Sequence, residues 1–241
     1  MREIIKTVLR MIYLEDLARE LLRNPKHFKR YWAGTDKKLI DDYIRNQGIR
    51  KLHIGCGQNI LTGWLNSDYD PGAPDILRLD ATKPFPFEND QFHYVFSEHM
   101  IEHISYPKGL QMLTECHRVL RPNGTLRIAT PDLAFLVDLY RSNKSELQQY
   151  YVKWTTDTFI AAAPYYEDTF VINNFVRDWG HQFIYDEKVL RYSLAKVGFR
   201  DIRKCDLNNS EDKELINLEN ENRYPPGFLR LETLILEGTK V

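Results

Sequence analysis

The 241 residues hold only three cysteines, Cys56, Cys116 and Cys205, far apart and odd in number. With no C-x-x-C pair, neither a zinc knuckle nor a dithiol redox couple is suggested, and a reducing compartment fits best. No stretch approaches the roughly 18 consecutive apolar residues that a membrane span needs. Charge of one sign is also lacking: 33 Lys and Arg against 34 Asp and Glu give a formal net charge of -1. Such a chain has no general attraction to polyanions, so nucleic acid is not an expected partner. The opening "MREIIKTVLRMIYLEDLARELL" starts basic, but Glu15, Asp16 and Glu20 interrupt it and no small-residue cleavage site follows. It does not read as a signal peptide, and a cytoplasmic protein is expected. Internal repeats and low-complexity tracts are missing too.

What is present is ordinary globular material, 43% hydrophobic and 28% charged, long enough for one α/β domain with a small appendage. Between residues 3 and 22, Ile4, Ile5, Val8, Leu9, Met11, Ile12, Leu17, Ala18, Leu21 and Leu22 recur at helical spacing. That apolar face predicts an N-terminal helical arm over 1–48, packed on the main domain, on a membrane surface, or against a second copy in a homodimer. From residue 51 strands and helices alternate: "KLHIG", "WLNSDYD", "DILRLD", "FHYVFS", a helix near 106–119, then "TLRIAT" after the turn "RPNG". The pattern predicts a doubly wound α/β fold with a mostly parallel sheet over 49–241. Residues 143–185 break the rhythm with dense aromatics and no clean period, as an inserted lid or substrate wall does. A helix "DEKVLRYSLAKVGF" and the strands "RDIRKCDL" and "RLETLILEG" follow, the last two joined by a polar stretch, 208–227.

Gly55 and Gly57 in "HIGCGQN" end the first strand, where glycine lets backbone approach a bulky ligand. Alone this is a weak signal. Asp68 closes the second strand, placed to accept hydrogen bonds from both hydroxyls of a ribose, with Asp70 competing for the role. Asp80 opens the loop after the third strand, where a carboxylate and the following N–H of Ala81 suit the edge of an adenine. No third glycine follows at dinucleotide spacing and no G-K-[ST] is present, so the expected ligand is a nucleoside without a phosphate cradle.

In order, "LHIGCG", "SDYD", "LDATKPFPFENDQFHYVFSEHMIEHI", "ECHRVLRPNGTLRIATPD" and "AKVGFRDIRK" resemble the motifs of class I S-adenosylmethionine-dependent methyltransferases, in particular the small bacterial type 11 group. The likeness covers about residues 51–207. It implies a seven-stranded Rossmann-like sheet whose last strand, "LETLILEG", runs antiparallel beside the fifth. It also implies S-adenosylmethionine as cofactor, with Gly55 and Gly57 under the methionine part, Asp68 on the ribose, Asp80 and Ala81 at the adenine, and Ser97 in the same cofactor-binding set. The loop from Gly57 to Asp68 is short, so the first helix of such a fold has to be truncated.

"SEHMIEHI", residues 97–104, falls where the methyl group is expected. As a helical turn it sets His99, Glu102 and His103 at i, i+3 and i+4, all pointing one way, and His181 of the insertion is a fourth candidate. Ubiquinone-pathway and small-RNA 2′-hydroxyl methyltransferases hold a divalent cation with a similar E-x-x-E-H. The H-x-x-E-H here would shift such a metal site, of His99, Glu102, His103 and His181, from magnesium toward zinc, iron or manganese. Two other readings stand beside it: His99, His103 and His181 as catalytic bases or substrate contacts without metal, and a structural hydrogen-bonded cluster. Tyr165, Tyr166, Trp179 and Phe183 either wall a substrate pocket or seal a subdomain. Cys56 reads as packing, His117 as a residue on the outer side of a covering helix, and no N-P-P-Y motif follows the fourth strand. The resulting expectation is O-methylation of a small molecule or sugar. The rivals are an adenosyl-nucleoside-binding protein without turnover, an N-methyltransferase and an RNA methyltransferase.

Overall fold

A computed structural model of the chain describes residues 30, 32–141 and 143–241. It divides into a unit ending at Asn46 and a larger one, Gln47–Val241. In the first, α1 (Thr35–Asn46) has Asp36 in its first turn and Arg45 in its last, which suits the helix dipole. The apolar face of residues 3–22 lies outside the described residues.

The larger unit is built on seven strands: β1 (Lys51–Ile54), β2 (Leu65–Asp68), β3 (Leu77–Arg78), β4 (Phe92–Glu98), β5 (Leu120–Pro131), β6 (Phe199–Lys204) and β7 (Thr233–Lys240). Their order is β3-β2-β1-β4-β5-β7-β6, parallel from β3 to β5, with β7 antiparallel to both β5 and β6. The order reverses between β1 and β4, and parallel open sheets bind ligands at the carboxyl edge beside such a reversal. Ile54, Ser97 and Ile128 are level across β1, β4 and β5. Gly55 and Glu98 therefore step out onto the same edge. Leu52, Ile54, Val95 and Phe96 are all fully buried or nearly so, which is why these strands read as continuous apolar runs rather than alternating ones.

Helix α2 (Tyr106–Val119) packs on β5 and on α6 (Glu187–Val197). Between β1 and β4 there is no α-helix at all, so the truncation expected of the first helix is complete. Cover over Phe96 comes instead from the stretch read as a polar linker: Leu215 and Leu218 pack there with Trp64. We call residues 206–223 the strap. Its fastening is the fully buried Arg127 of β5, which binds Glu219 at 2.6 Å, Glu237 at 2.7 Å and the carbonyls of Asp206 and Asn209. Tyr94 to Asp212 and Lys51 to Glu214 secure it further.

The insertion is helical rather than irregular. α4 (Glu146–Phe159) and α5 (Asp168–Arg177) pack with α3 (Leu133–Arg141) and with Phe228 of the short α7 (Phe228–Glu232). Their buried positions are filled by Tyr151, Val152, Thr155, Val171 and Phe175, residues of modest helix propensity, which hid the period. Ser145 and Gln148 start α4 with a capping box. Among the described residues no helix is long and apolar enough to cross a membrane.

Candidate active site

A cavity of about 710 Å³ opens at the carboxyl edge of β1, β2 and β4, with Gly55, Gly57, Asp68, Asp80, Ala81 and His103 among its walls. Gly55 has φ +71°, and a Cβ there would meet Met100 Cβ at 2.8 Å, so both backbone torsion and space demand glycine. Gly57 has φ +49° and nothing within 4 Å of where its Cβ would lie; its bare backbone borders open cavity. The Gly57 N–H donates to Asp68 Oδ2 at 2.9 Å, while Oδ1 accepts from the Asp70 N–H at 3.0 Å. That clamp fixes the Asp68 carboxylate on the cavity wall, which Asp70 does not line. Asp80 Oδ1 accepts from the N–H and hydroxyl of Thr82, which holds the loop carrying Ala81. Ser97 lies behind the wall: it is fully buried, and its Oγ has no partner.

The H-x-x-E-H segment departs from the helical turn expected of it. Only Ile101–His103 is helical, and of the 3₁₀ kind. His99 precedes it with φ +47°, pinned by its N–H to the Ala129 carbonyl. Its Nε2 lies 3.0 Å from Thr233 Oγ1 and its Nδ1 3.6 Å from Glu102 Oε1. His99 Nδ1 and His103 Nε2 both approach Glu102 Oε1, at 3.6 and 3.8 Å, and the set whose ligand atoms lie within 4.8 Å of one another is Glu102, His103 and His181. His181 Nδ1 donates to the Phe175 carbonyl at 2.6 Å, and its ring stands edge-on to His103 at 4.9 Å. The insertion is stitched to the turn beside them: the N–H groups of Gln182 and Phe183 donate to the Glu102 carbonyl at 2.7 and 3.2 Å.

Beyond this turn lies a smaller chamber of about 140 Å³. His99 and His103 line both cavities. The chamber adds residues that motif spacing did not point to: Arg223 and Tyr224 at the end of the strap, and Glu232 just before β7. Arg223 is held by Glu98 Oε1 at 3.1 Å, and the Tyr151 hydroxyl donates to Glu232 Oε2. Trp179 and His181 come from the insertion; Trp179 has φ +57° and is followed by Gly180 at +78°. A left-handed backbone is rare for so bulky a residue, and such strain gathers at functional sites. Burial sets the protonation here. It raises Glu102 to about 8 and Glu232 to about 7, and lowers His99, His103 and His181 below the usual imidazole value. At neutral pH the three imidazoles are unprotonated and Glu102 is largely a neutral acid. Cys56, raised to about 11 by burial, is no nucleophile, and His117 packs edge-on against Phe199 as part of the helix cover.

Residues 52–128, which carry β1 to β5 and the H-x-x-E-H turn, match the family model of a methyltransferase domain. The part of the chain that this match covers is a methyltransferase domain. No curated protein matches its sequence. Among solved structures, the chain is similar to an S-adenosylmethionine-dependent methyltransferase from Archaeoglobus fulgidus, at 14% identity and TM-score 0.48 over 88% of this chain and 94% of that one. It is also similar to phosphoethanolamine N-methyltransferase 2 of Haemonchus contortus, at 16% identity and TM-score 0.42 over 80% of this chain and 49% of the other.

Proposed function

We propose that the methyltransferase moves the methyl group of S-adenosylmethionine to a hydroxyl of a small molecule or sugar seated in the 140 Å³ chamber. The observation that carries this reading is the shared wall: His99 and His103 face both the large cavity and the small one. Methyl transfer is an in-line displacement at the sulfonium carbon, so the protein has to align donor and acceptor and take up the hydroxyl proton. Gly55, Gly57, Asp68, Asp80 and Ala81 bind the cofactor, with Ser97 buried directly behind them. His181 is the base. Its Nδ1–H is committed to the Phe175 carbonyl, so Nε2 carries the lone pair that accepts the proton. His103 and Glu102 complete the group, and the inserted helices act as the lid over the acceptor.

The test is S-adenosylhomocysteine release with acceptor panels of sugars and small alcohols. Release with hydroxyl acceptors that falls to background in His181→Ala supports the reading. Cofactor binding with no turnover on any acceptor leaves a nucleoside-binding protein. Turnover confined to amines or to RNA replaces O-methylation by those activities.

A second reading has its own observation. Glu102, His103 and His181 offer a carboxylate and two imidazoles within 4.8 Å, and Glu102 Oε1 is buried without a hydrogen-bond partner. This donor set fits zinc, iron or manganese, and a backbone-bound Nδ1–H on His181 is the usual support for a ligating Nε2. Such an ion would lower the pKa of an acceptor hydroxyl. A saturable rise in melting temperature with manganese or zinc, abolished by His103→Ala, is expected of that site; equal curves for the two proteins dismiss it.

A further inference from the structure

Glu232 and the rings of Trp179, Phe175 and Tyr224 line the chamber yet have no part in the methyl-transfer chemistry proposed above. Glu232 is 4% exposed. Its Oε2 accepts a hydrogen bond from the Tyr151 hydroxyl, and no hydrogen bond reaches Oε1 among the described residues. Glu102, fully buried, presents a second oxygen without a partner. The cation lining the same chamber, Arg223, is held by the buried Glu98 at 3.1 Å. A buried carboxylate without a counter-charge is costly, and a ligand that brings the missing charge is selected.

We infer that the chamber receives a positively charged amine, the alkylammonium group of the acceptor, anchored on Glu232 and walled by Trp179, Phe175 and Tyr224. An ammonium group donates three protons where this wall offers carboxylate oxygens, and aromatic faces attract the same charge. A neutral hydroxyl can match one of these hydrogen bonds but offers no charge to the Glu232 carboxylate. A volume of about 140 Å³ equals roughly four or five waters of liquid, room for a headgroup and a few carbons rather than for a long acceptor. The strained Trp179–Gly180 turn holds the indole in place, its ring 5.1 Å from Phe159 and 5.6 Å from His181. The acceptor class is thereby narrowed to amino alcohols and amino sugars, with the ammonium as anchor and a hydroxyl as the methylated atom.

This inference rests on the reading that the chamber holds the methyl acceptor. The experiment is calorimetry on the full chain in EDTA, first with S-adenosylhomocysteine alone, then on the saturated complex with isosteric pairs: propylammonium against propanol, and cyclohexylammonium against cyclohexanol. The expected result is that the ammonium member of a pair binds at least tenfold tighter than its alcohol. That preference should disappear in Glu232→Gln, while Trp179→Leu weakens both members. Lack of heat with S-adenosylhomocysteine refutes the methyltransfer reading itself. Normal cofactor binding overturns the amine inference alone if neither ammonium binds, if the alcohols bind equally well, or if the preference survives in Glu232→Gln. Should Glu232→Gln fail to fold, the wild-type selectivity and the Trp179→Leu response still decide the matter.

Discussion

His181 donates its Nδ1–H to the carbonyl of Phe175 at 2.6 Å, a bond that fixes the tautomer of a ring standing against His103. The base function assigned to its other nitrogen gives the first expected outcome. His181→Ala should lower kcat by about 10²–10⁴-fold, the usual worth of a positioned base. S-adenosylhomocysteine affinity should stay within about twofold, well inside the tenfold that corresponds to 1.4 kcal/mol. Single-turnover kinetics beside calorimetry separates the two. An equal loss in both would show that His181 shapes the cofactor cavity instead.

Asp68 and Asp70 should differ sharply. Asp68 is clamped on the cavity wall by two backbone N–H groups, and Asp70 is not on that wall. Losing hydrogen bonds from ribose hydroxyls to a carboxylate costs about 1.5–3 kcal/mol each, so Asp68→Ala should weaken cofactor binding by at least tenfold. Asp70→Ala should leave the calorimetric affinity almost unchanged. The reverse ranking would move the ribose to Asp70.

Gly55 and Gly57 should fail in different ways. Gly55→Ala forces a methyl into Met100 at a left-handed backbone position, and about 2 kcal/mol of stability should be lost in urea unfolding. Shortening Met100 to Ala should restore part of it. Gly57→Ala meets nothing within 4 Å and should cost about 1 kcal/mol or less, yet it places a methyl on the cavity border and should reduce cofactor affinity.

The pH dependence of stability carries a signature from His53. Burial holds this histidine at about 4, against an ordinary value near 6.5, with the Asn66 hydrogen bond opposing the shift. Between those values the unfolded chain binds a proton that the folded one refuses, so stability falls as pH drops from 6.5 toward 4. The full effect is about 3 kcal/mol. His53→Leu should flatten that part of the profile relative to wild type, measured by denaturant unfolding at pH 7 and 4.5. Identical slopes would mean that His53 is protonated in the native protein.

Arg127 should be the costliest single truncation. Removing it leaves Glu219 buried without its cation and Glu237 with Arg203 alone, and breaking such a buried pair typically costs about 3–5 kcal/mol. Arg127→Ala should therefore unfold at far lower urea than Glu211→Ala, whose carboxylate is exposed.

The strands were legible because they announce themselves locally, by runs such as "KLHI" and "FHYVFSE" that are largely buried. Asp68, Gly55 and Gly57 were legible for a related reason: Asp68 closes β2 and the two glycines follow β1, where periodicity points. The left-handed backbone at His99 was not, because the H-x-x-E-H spacing reads the same with or without it. Glu232, Arg223 and Glu98 escaped notice because their partners are far off in the chain: Glu98 and Arg223 are separated by 125 positions, Tyr151 and Glu232 by 81. The strap looked like solvent-exposed linker for the same reason, since the value of Glu219 depends wholly on an arginine 92 residues away.

That fastening has a bearing on how ligands get in. The segment that brings Arg223 and Tyr224 to the chamber is bolted by Arg127 to the middle strands of the sheet, so one wall of the acceptor compartment shares the fate of the protein's interior. Lifting that wall would amount to denaturing the molecule. The opposite flank, the Trp179–Gln182 turn, is held by single hydrogen bonds and ring contacts, and amide exchange there should outpace exchange in Leu215–Glu219.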